Sequence, residues 1–501
     1  MKFDIVIIGA GLGGLLSAVI LAKEGKKVAV IEQNKQIGGC LQTFSFDKKI
    51  FDSCVHYIGA LDEGQTQNRI FQFVGIMDDL KLKKLDAACF DEIIFGENAS
   101  SFLQAQGSGN FVEQLLPHFP KEQKALQDYI ALLKKTGESF PLYKLRNGMG
   151  SEKDWIIEQE VSSTIEGLTQ NSLLQNVLTG NNLLYAGEKG KTPFYVHALV
   201  TQSYIESAYK FIGGSSQISK LLWKKLQEYG GVIFTNEKIN RLNIKDKSIS
   251  NATSLQGNEY FADQFIANVH PKKVLEWLDT PLIKPVYRKR ISQAQNSVSS
   301  FMVNIVLKPK SLPYQNHNTY WNKTQDTYAA IQQKQDQWPM NYALYFSEDI
   351  KHPGFADTLA ILTYDTVHAF ENWEYTHNRT AQLSERMQDY HEYKQERAHL
   401  LLKVVGQRFP EIIKNIQSFK IATPLTFRDY MGTDEGSMYG IMPIAGHNAQ
   451  TRIPVTTKIN NLFLTGQNIG LHGVLGVSIG AVNTCSTILG EAYLLNKINQ
   501  F

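Results

Sequence analysis

The sequence predicts an α/β protein in which a parallel-sheet domain is discontinuous along the chain and an α+β domain is inserted into it. Three observations predict this. A short apolar run, a glycine-rich turn, a helix and a second apolar run fill residues 4–31. A glycine pair, a helical stretch and a strand-like run follow at 213–234. A third strand, glycine-rich turn and helix occupy 462–494. Nucleotide-type signals therefore sit at the start, middle and end. One domain gathers 1–75, 213–280 and 420–501, and the inserted domain takes 76–212 and 281–419.

The elements follow in order. Asp4 to Ile8 is nearly all apolar, as a strand buried on both faces requires. Leu15 to Glu24 is helical, with Ala18, Leu21 and Ala22 on one face, and Gly25 ends it. Lys27 to Ile31 is a second strand, completing one βαβ unit. Residues 111–137 and 152–185 read as mostly helical. Ser216 to Tyr229 is a helix, and Gly231 to Phe234 and Phe261 to Ala267 are strands. Ser300 to Leu307 and Thr358 to Tyr364 are β-rich and belong to a second sheet. Thr380 to Gly406 is a long helix, Leu462 to Thr465 a strand, and Val477 to Leu494 a helix.

Composition narrows the function. The chain has 501 residues, 43% apolar and 20% charged, enough for a large core and too apolar for a disordered chain. Basic and acidic side chains nearly balance at 51 and 48, so nucleic acid is not expected as a partner. Four cysteines without a CxxC pair exclude a disulfide scaffold and offer no structural zinc site; no metal is expected. The run Phe3 to Ala22 is broken by Asp4, Gly9, Gly11, Gly13 and Gly14. The run Leu462 to Leu489 carries Gln467, Asn468, His472 and Asn483. Both read as core rather than membrane spans. A cytoplasmic location is expected, with peripheral membrane contact left open.

Gly9-Ala-Gly11-Leu-Gly13-Gly14 stands between strand and helix, and Glu32 ends the second strand about 20 residues on. This is the Rossmann-type fingerprint. Gly9 permits the tight turn, Gly11 lets the backbone approach a pyrophosphate, and Gly14 lets the helix pack on the strand. The helix N-terminus offers free N–H groups to the phosphates. Glu32 would accept hydrogen bonds from ribose hydroxyls, and its charge disfavours a 2′-phosphate. The motif alone does not separate FAD from NAD.

After Glu32 come Gly38-Gly39-Cys40, Thr43, Phe44, Phe51 and Asp52. This second glycine pair resembles the flavoprotein group that includes the amine oxidases and phytoene desaturases. The resemblance implies FAD, with Gly38 and Gly39 near its pyrophosphate, and Cys40 where the group often has arginine. Gly213-Gly214, the following helix, Gly230-Gly231, Ile239 and Leu242 resemble the stretch that covers the adenine, with Ile239 pairing to it. Leu462 to Gly466 and the turn after it resemble the flavin-end motif. This implies that Gly466, Gln467, Gly473 and Val474 lie at the flavin, with Gln467 where an acidic residue is usual. Narrower matches resemble the retinol saturase and carotenoid isomerase branch. They are Asp52 to Gly59, Ala208-Tyr209 before Gly213, Asn268-Val-His270-Pro271, and Thr423-Pro424 with Tyr430, Gly436-Ser437 and Tyr439-Gly440. Phe370-Glu-Asn-Trp373 adds a further match.

The resemblance implies an enzyme acting on carbon–carbon double bonds of an apolar conjugated isoprenoid, a retinoid or carotenoid, by saturation or cis–trans isomerisation. A polyene desaturase and a flavin oxidase of amines or other small molecules are the alternatives. Aromatic residues such as Tyr185, Phe194, Tyr195, Tyr204, Tyr209 and Phe211 suit an apolar substrate or simply a core. Reduction needs a proton beside the hydride acceptor, and His56, Tyr57 and His472 are the candidate donors. Tyr430 and Glu435 are further pocket candidates, while Cys40 and Cys54 are read as inert thiols. No second GxGxxG follows a strand, so electrons are expected from an external donor, or from NAD(P)H without a dedicated domain.

Overall fold

The computed structural model describes residues 2–96, 100–148, 154–378, 386–433, 435–447 and 451–501. The first strand, β1 (Lys2–Ile8), leads into α1 (Leu12–Lys23), which returns to β2 (Val28–Ile31). β1 and β2 pair in parallel from Ile5↔Val28 to Ile8↔Ile31. Helix α1 begins three residues before the expected Leu15, because Gly11 is its extended N-cap at φ −73° and ψ 177°. Gly13 and Gly14 therefore lie inside the first turn.

The first sheet runs Val232–Phe234, β2, β1, Glu259–Ala267, Ser248–Ser254, Ile239–Lys245, with Leu462–Leu464 also paired to Glu259–Ala267. Val232–Phe234, β2, β1, Glu259–Ala267 and Leu462–Leu464 are mutually parallel. The three sequence regions expected to share a domain thus share this sheet. The apolar faces of α1, Ser216–Glu228 and Gly473–Leu489 pack in one core cluster with its strands. The terminal helix was expected as one piece over Val477 to Leu494. It instead starts at Gly473 and breaks at Gly490, whose φ of +99° is open to glycine, before Glu491–Ile498.

The second sheet runs Ile416–Ala422, Ser299–Leu307, Ala356–Asp365, Asn341–Glu348, Asn318–Asn322, Asp91–Phe95, Ser101–Gln104. Its pairs are antiparallel except Asn318–Asn322 with Asp91–Phe95. The expected domain boundary at 420 falls inside Ile416–Ala422, so that strand belongs to the inserted domain. Residues 154–185 are mostly helical, as three short α-helices and a 3-10 turn. Glu160 and Asn171 cap them by accepting backbone N–H bonds, which punctuates the stretch. The expected helix from Thr380 is observed as Gln388–Arg408; 380–385 lie outside the described residues.

Two small sheets join the parts. The hairpin β3 (Thr43–Phe46) and β4 (Lys49–Asp52) follows the second glycine pair. Ile58–Gly59 pairs with Ala208–Phe211, which pairs with Leu82–Lys84. No helix among the described residues is long and apolar enough to cross a membrane.

Helix Phe194–Glu206 threads the inserted domain's core. Its His197 is fully buried between the Tyr129 hydroxyl at 2.7 Å and the Tyr185 hydroxyl at 3.0 Å. Burial pushes its pKa down to about 3. The neutral ring is thus the folded form, while the unfolded ring takes a proton below its usual 6.5. Stability from this site is complete above pH 6.5 and is lost as pH falls toward 3, by up to about 1.4 kcal/mol per pH unit. The stability advantage over His197→Gln should shrink between pH 6.5 and 4, read as urea midpoints. A constant difference would contradict this.

Candidate active site

The glycine turn closes around one side chain, Asn268, to which the sequence alone gave no role. Asn268 follows Glu259–Ala267 and donates from Nδ2 to the Gly9 carbonyl at 3.1 Å. A methyl group on Gly13 would lie 2.7 Å from Asn268 Oδ1, and one on Gly466 2.5 Å. On Gly14 it would lie 2.1 Å from the Gly9 carbonyl oxygen. Gly9 has φ +102°, so its conformation and its space both favour glycine. The sequence signal for Asn268 was its place at the carboxyl end of a parallel strand, where such sheets bind ligands.

Gly38, at φ +114°, donates its N–H to the Ala10 carbonyl at 2.8 Å. A methyl on Gly39 would sit 3.3 Å from Gly11 Cα. The two glycine motifs therefore stack backbone on backbone. Gly11 caps α1 with no side-chain hydrogen bond, which leaves the first-turn N–H groups for an anion. Glu32 is buried and accepts from Ala10 N at 2.9 Å and Asn34 N at 2.8 Å. Burial raises its carboxyl above the usual range, against the pull of these amides. Glu237 N donates to the Glu32 carbonyl, so the chain entering Ile239 runs beside Glu32, and Ile239 itself is buried.

Thr43 packs on the second motif. Its hydroxyl donates to Ser216 Oγ at 3.0 Å, and its methyl would meet any side chain at Gly214. Asp52, also in the hairpin, accepts from Ser215 N and Ser215 Oγ, both at 2.7 Å. Burial pushes its pKa up to about 6.

At the other end, Gly466 has φ +97° and Gln467 is half-buried after Leu462–Leu464. His472 caps helix Gly473–Leu489 without a side-chain bond, leaving its first N–H groups open. Val474 is buried in the first turn. The His472 ring lies 4.2 Å from the Tyr439 ring, centroid to centroid, and burial lowers its pKa to about 4.

His56 and Tyr57 meet this region through Tyr345. The His56 ring stacks on Tyr345 at 4.3 Å with a 7° angle between planes. Tyr57 lies 4.4 Å from Tyr204 and 6.1 Å from Tyr345. Tyr345 and Tyr204 are also electrostatic neighbours of Tyr439. The three expected donors thus pack into one aromatic cluster with Tyr204, Tyr345 and Tyr439. Burial, with the Lys210 charge nearby, pushes His56 down to about 3, so the ring is neutral at pH 7 and no imidazolium donor.

Tyr57 is tied to a buried acid. Its hydroxyl donates to Asp91 Oδ2 at 2.9 Å and lies 2.7 Å from the Tyr320 hydroxyl, which is 3.1 Å from that of Tyr345. Asp91 also accepts from Asn318 at 2.9 Å and Asn181 at 3.3 Å. Burial raises Asp91 to about 6 and holds Tyr57 well above the usual phenol value. Lys210 is buried within charge range of Asp91, its ammonium lowered to about 7 by burial. Asp91, Tyr320 and Lys210 carried no motif and were missed. Tyr430 and Glu435 are exposed.

A cofactor fits these features. Around the aromatic cluster and the flavin-end turn, His56 Nε2, His472 Nε2 and Thr465 Oγ1 are buried without a protein partner.

Comparison with known proteins agrees. Residues 7–74 match the NAD(P)-binding Rossmann-like domain family. The chain is 26% identical to the all-trans-retinol 13,14-reductase of Danio rerio, over 99% of this chain and 88% of that one. It is 24% identical to prolycopene isomerase 1 of an Oncidium hybrid cultivar, over 99% and 85%. The cyclohexylamine oxidase structure from Brevibacterium oxydans superposes with a TM-score of 0.62 at 16% identity, covering 99% of each chain, and so shares the fold. With two stacked glycine motifs, an open flavin-end helix and likeness to both kinds of relative along nearly the whole chain, the protein is similar to the phytoene desaturase-like flavoproteins, and within them to the retinol reductases and carotenoid isomerases.

Proposed function

We propose that the protein is an FAD-dependent oxidoreductase that saturates a carbon–carbon double bond of an apolar conjugated isoprenoid, a retinoid or carotenoid. One observation carries the reading. A neutral, buried phenol, Tyr57, packs in the aromatic cluster that reaches the flavin-end residue His472, and it is hydrogen-bonded to an acid that burial raises to about 6. Saturation consumes one hydride and one proton per double bond. A bound flavin supplies the hydride exchange. Tyr57 supplies the proton from its hydroxyl, and Asp91, at 2.9 Å, re-protonates it. His56 and Tyr345 hold a flat apolar chain by ring stacking.

Gly9, Gly11, Gly13, Gly14, Gly38 and Gly39 hold the pyrophosphate, with Cys40 beside them. Glu32 takes the ribose, the segment at Ile239 covers the adenine, and Gly466, Gln467, Gly473 and Val474 take the flavin end. Thr43 acts indirectly, by fixing the hairpin to Ser216. The electron donor is external, or is NAD(P)H docking without its own domain. Isomerisation of the same substrate class is the second reading, favoured by the prolycopene isomerase likeness. The protein works in the cytoplasm, in peripheral contact with a membrane that holds the apolar substrate.

The purified protein should be yellow and should release FAD on denaturation, identified by chromatography. A colourless protein that takes up no added FAD would overturn the reading.

A further inference from the structure

Asn304, in strand Ser299–Leu307, carries an amide that the fold does not use. It is 1% exposed, and neither Oδ1 nor Nδ2 has a hydrogen-bond partner among the described residues. A buried amide left unpaired is costly, so such a group calls for a reason. With both atoms unpaired, turning the amide over would not satisfy it.

Strand register fixes what lies beside it. Asn304 is paired with Lys420 on one side and Ala360 on the other, and Ala360 is paired with Tyr345. Directly paired residues share a face of the sheet, so these four form one row across four strands. The neighbouring row on that face is Ala422, Met302, Leu362 and Ala343. That row, with Ala360 and Tyr345, packs in the apolar cluster that holds Tyr57. Tyr345 stacks on His56. Asn304 lies two strands from Tyr345, about 10 Å at the usual strand spacing. Ala360 between them presents only a methyl group. Lys420, at the other end of the row, is exposed, its ammonium 5.7 Å from the Phe44 ring of the hairpin.

We propose that Asn304 is a specificity-determining residue whose amide binds the hydroxyl end of the substrate and so fixes which double bond lies at Tyr57. The inference rests on the polyene reading of this site and narrows the substrate to an isoprenoid alcohol. The chemistry of the amide selects a hydroxyl, which accepts from Nδ2 or donates to Oδ1, whichever faces it. An aldehyde or ether oxygen only accepts, and serves Nδ2 alone. A carboxylate would bring a charge that a neutral amide does not balance, and its partner in the row would be Lys420. A hydrocarbon end would leave the amide unpaired.

The test titrates oxidised holoenzyme, by fluorescence, with all-trans-retinol, its hydrocarbon analogue lacking the hydroxyl, and retinoic acid. The ratio of retinol to hydrocarbon affinity should fall at least about tenfold in Asn304→Leu, the worth of one buried hydrogen bond. Asn304→Ala, which only removes atoms, should lower the ratio likewise. Both variants should keep their flavin, and Asn304→Leu should unfold no earlier than the unaltered protein, because no polar atom is left unpaired. An unchanged ratio would overturn the proposal and leave the polyene reading standing. So would tighter binding of retinoic acid than of retinol by the unaltered protein. Loss of fold in both variants would make the amide a structural group and also overturn it. Binding of no polyene at all would overturn the polyene reading, and the inference with it.

Discussion

Adding one methyl group at Gly14 should strip the protein of flavin. In Gly14→Ala the new carbon would lie 2.1 Å from the Gly9 carbonyl oxygen and 3.1 Å from Asn268 Nδ2. Neither can retreat cheaply. Gly9 holds β1 to the turn through its N–H bond to the Ile31 carbonyl at 2.8 Å, and Asn268 N donates to the Ile8 carbonyl at 2.8 Å. Helix α1 must therefore lift from the sheet, taking its N-terminal N–H groups away from the pyrophosphate. Overpacking of this kind costs about 1–3 kcal/mol of stability. The expected result is flavin content reduced at least tenfold, with a lower unfolding midpoint. Gly109→Ala is the control, because nothing lies within 4 Å of its added carbon. It should keep its flavin and gain no more than about 1 kcal/mol of stability, the helix preference of alanine over glycine. Equal flavin content in the two variants would contradict this description of the turn.

Tyr57→Phe should keep the flavin and lose turnover by about 10²-fold or more, the usual contribution of a positioned acid. The ring still packs against Tyr204 and Tyr345, so the cluster keeps its shape. What disappears is the proton and its link to Asp91. Asp91 keeps Asn318 and Asn181 as partners, so the stability cost is about 1–3 kcal/mol rather than loss of fold. His56→Phe makes the complementary case. With a pKa of about 3 the imidazole carries no proton to give as an imidazolium at pH 7, and phenylalanine preserves the stack on Tyr345. Its turnover should fall less than that of Tyr57→Phe. The reverse order would move the donor to His56. Turnover of the unaltered enzyme under saturating reductant should also fall as pH rises through about 6, where Asp91 loses its proton and no longer re-protonates Tyr57.

The glycine turns proposed to hold the cofactor were legible because their constraints are local. Gly9, Gly11, Gly14 and Glu32 answer to one turn, one helix end and one strand end, each within a short stretch of chain. The second glycine pair could be read in the same way, since Gly38 and Gly39 meet Gly11 a short way back along the chain. The half proposed to supply the proton was legible only in part. Tyr57 was found because it follows the hairpin, but Asp91, Asn318 and Tyr345 reach it from strands of the other sheet. Nothing in the run Asp91–Phe95 distinguishes a buried acid from a strand-end acid in solvent. The opposite error fell on Tyr430. It lies in a motif-like segment, yet helix Pro424–Met431 turns it outward while burying Arg428 and Asp429. Helical phase decides that, and a single sequence does not supply the neighbour against which phase is set.

The most direct test is the mass of the product formed when chemically reduced holoenzyme is incubated without oxygen with all-trans-retinol and a panel of carotenoids. A product heavier than its substrate by two hydrogens is the expected result. A product of unchanged mass and altered retention, or no polyene product while a primary amine is oxidised in air, would contradict saturation as the reaction.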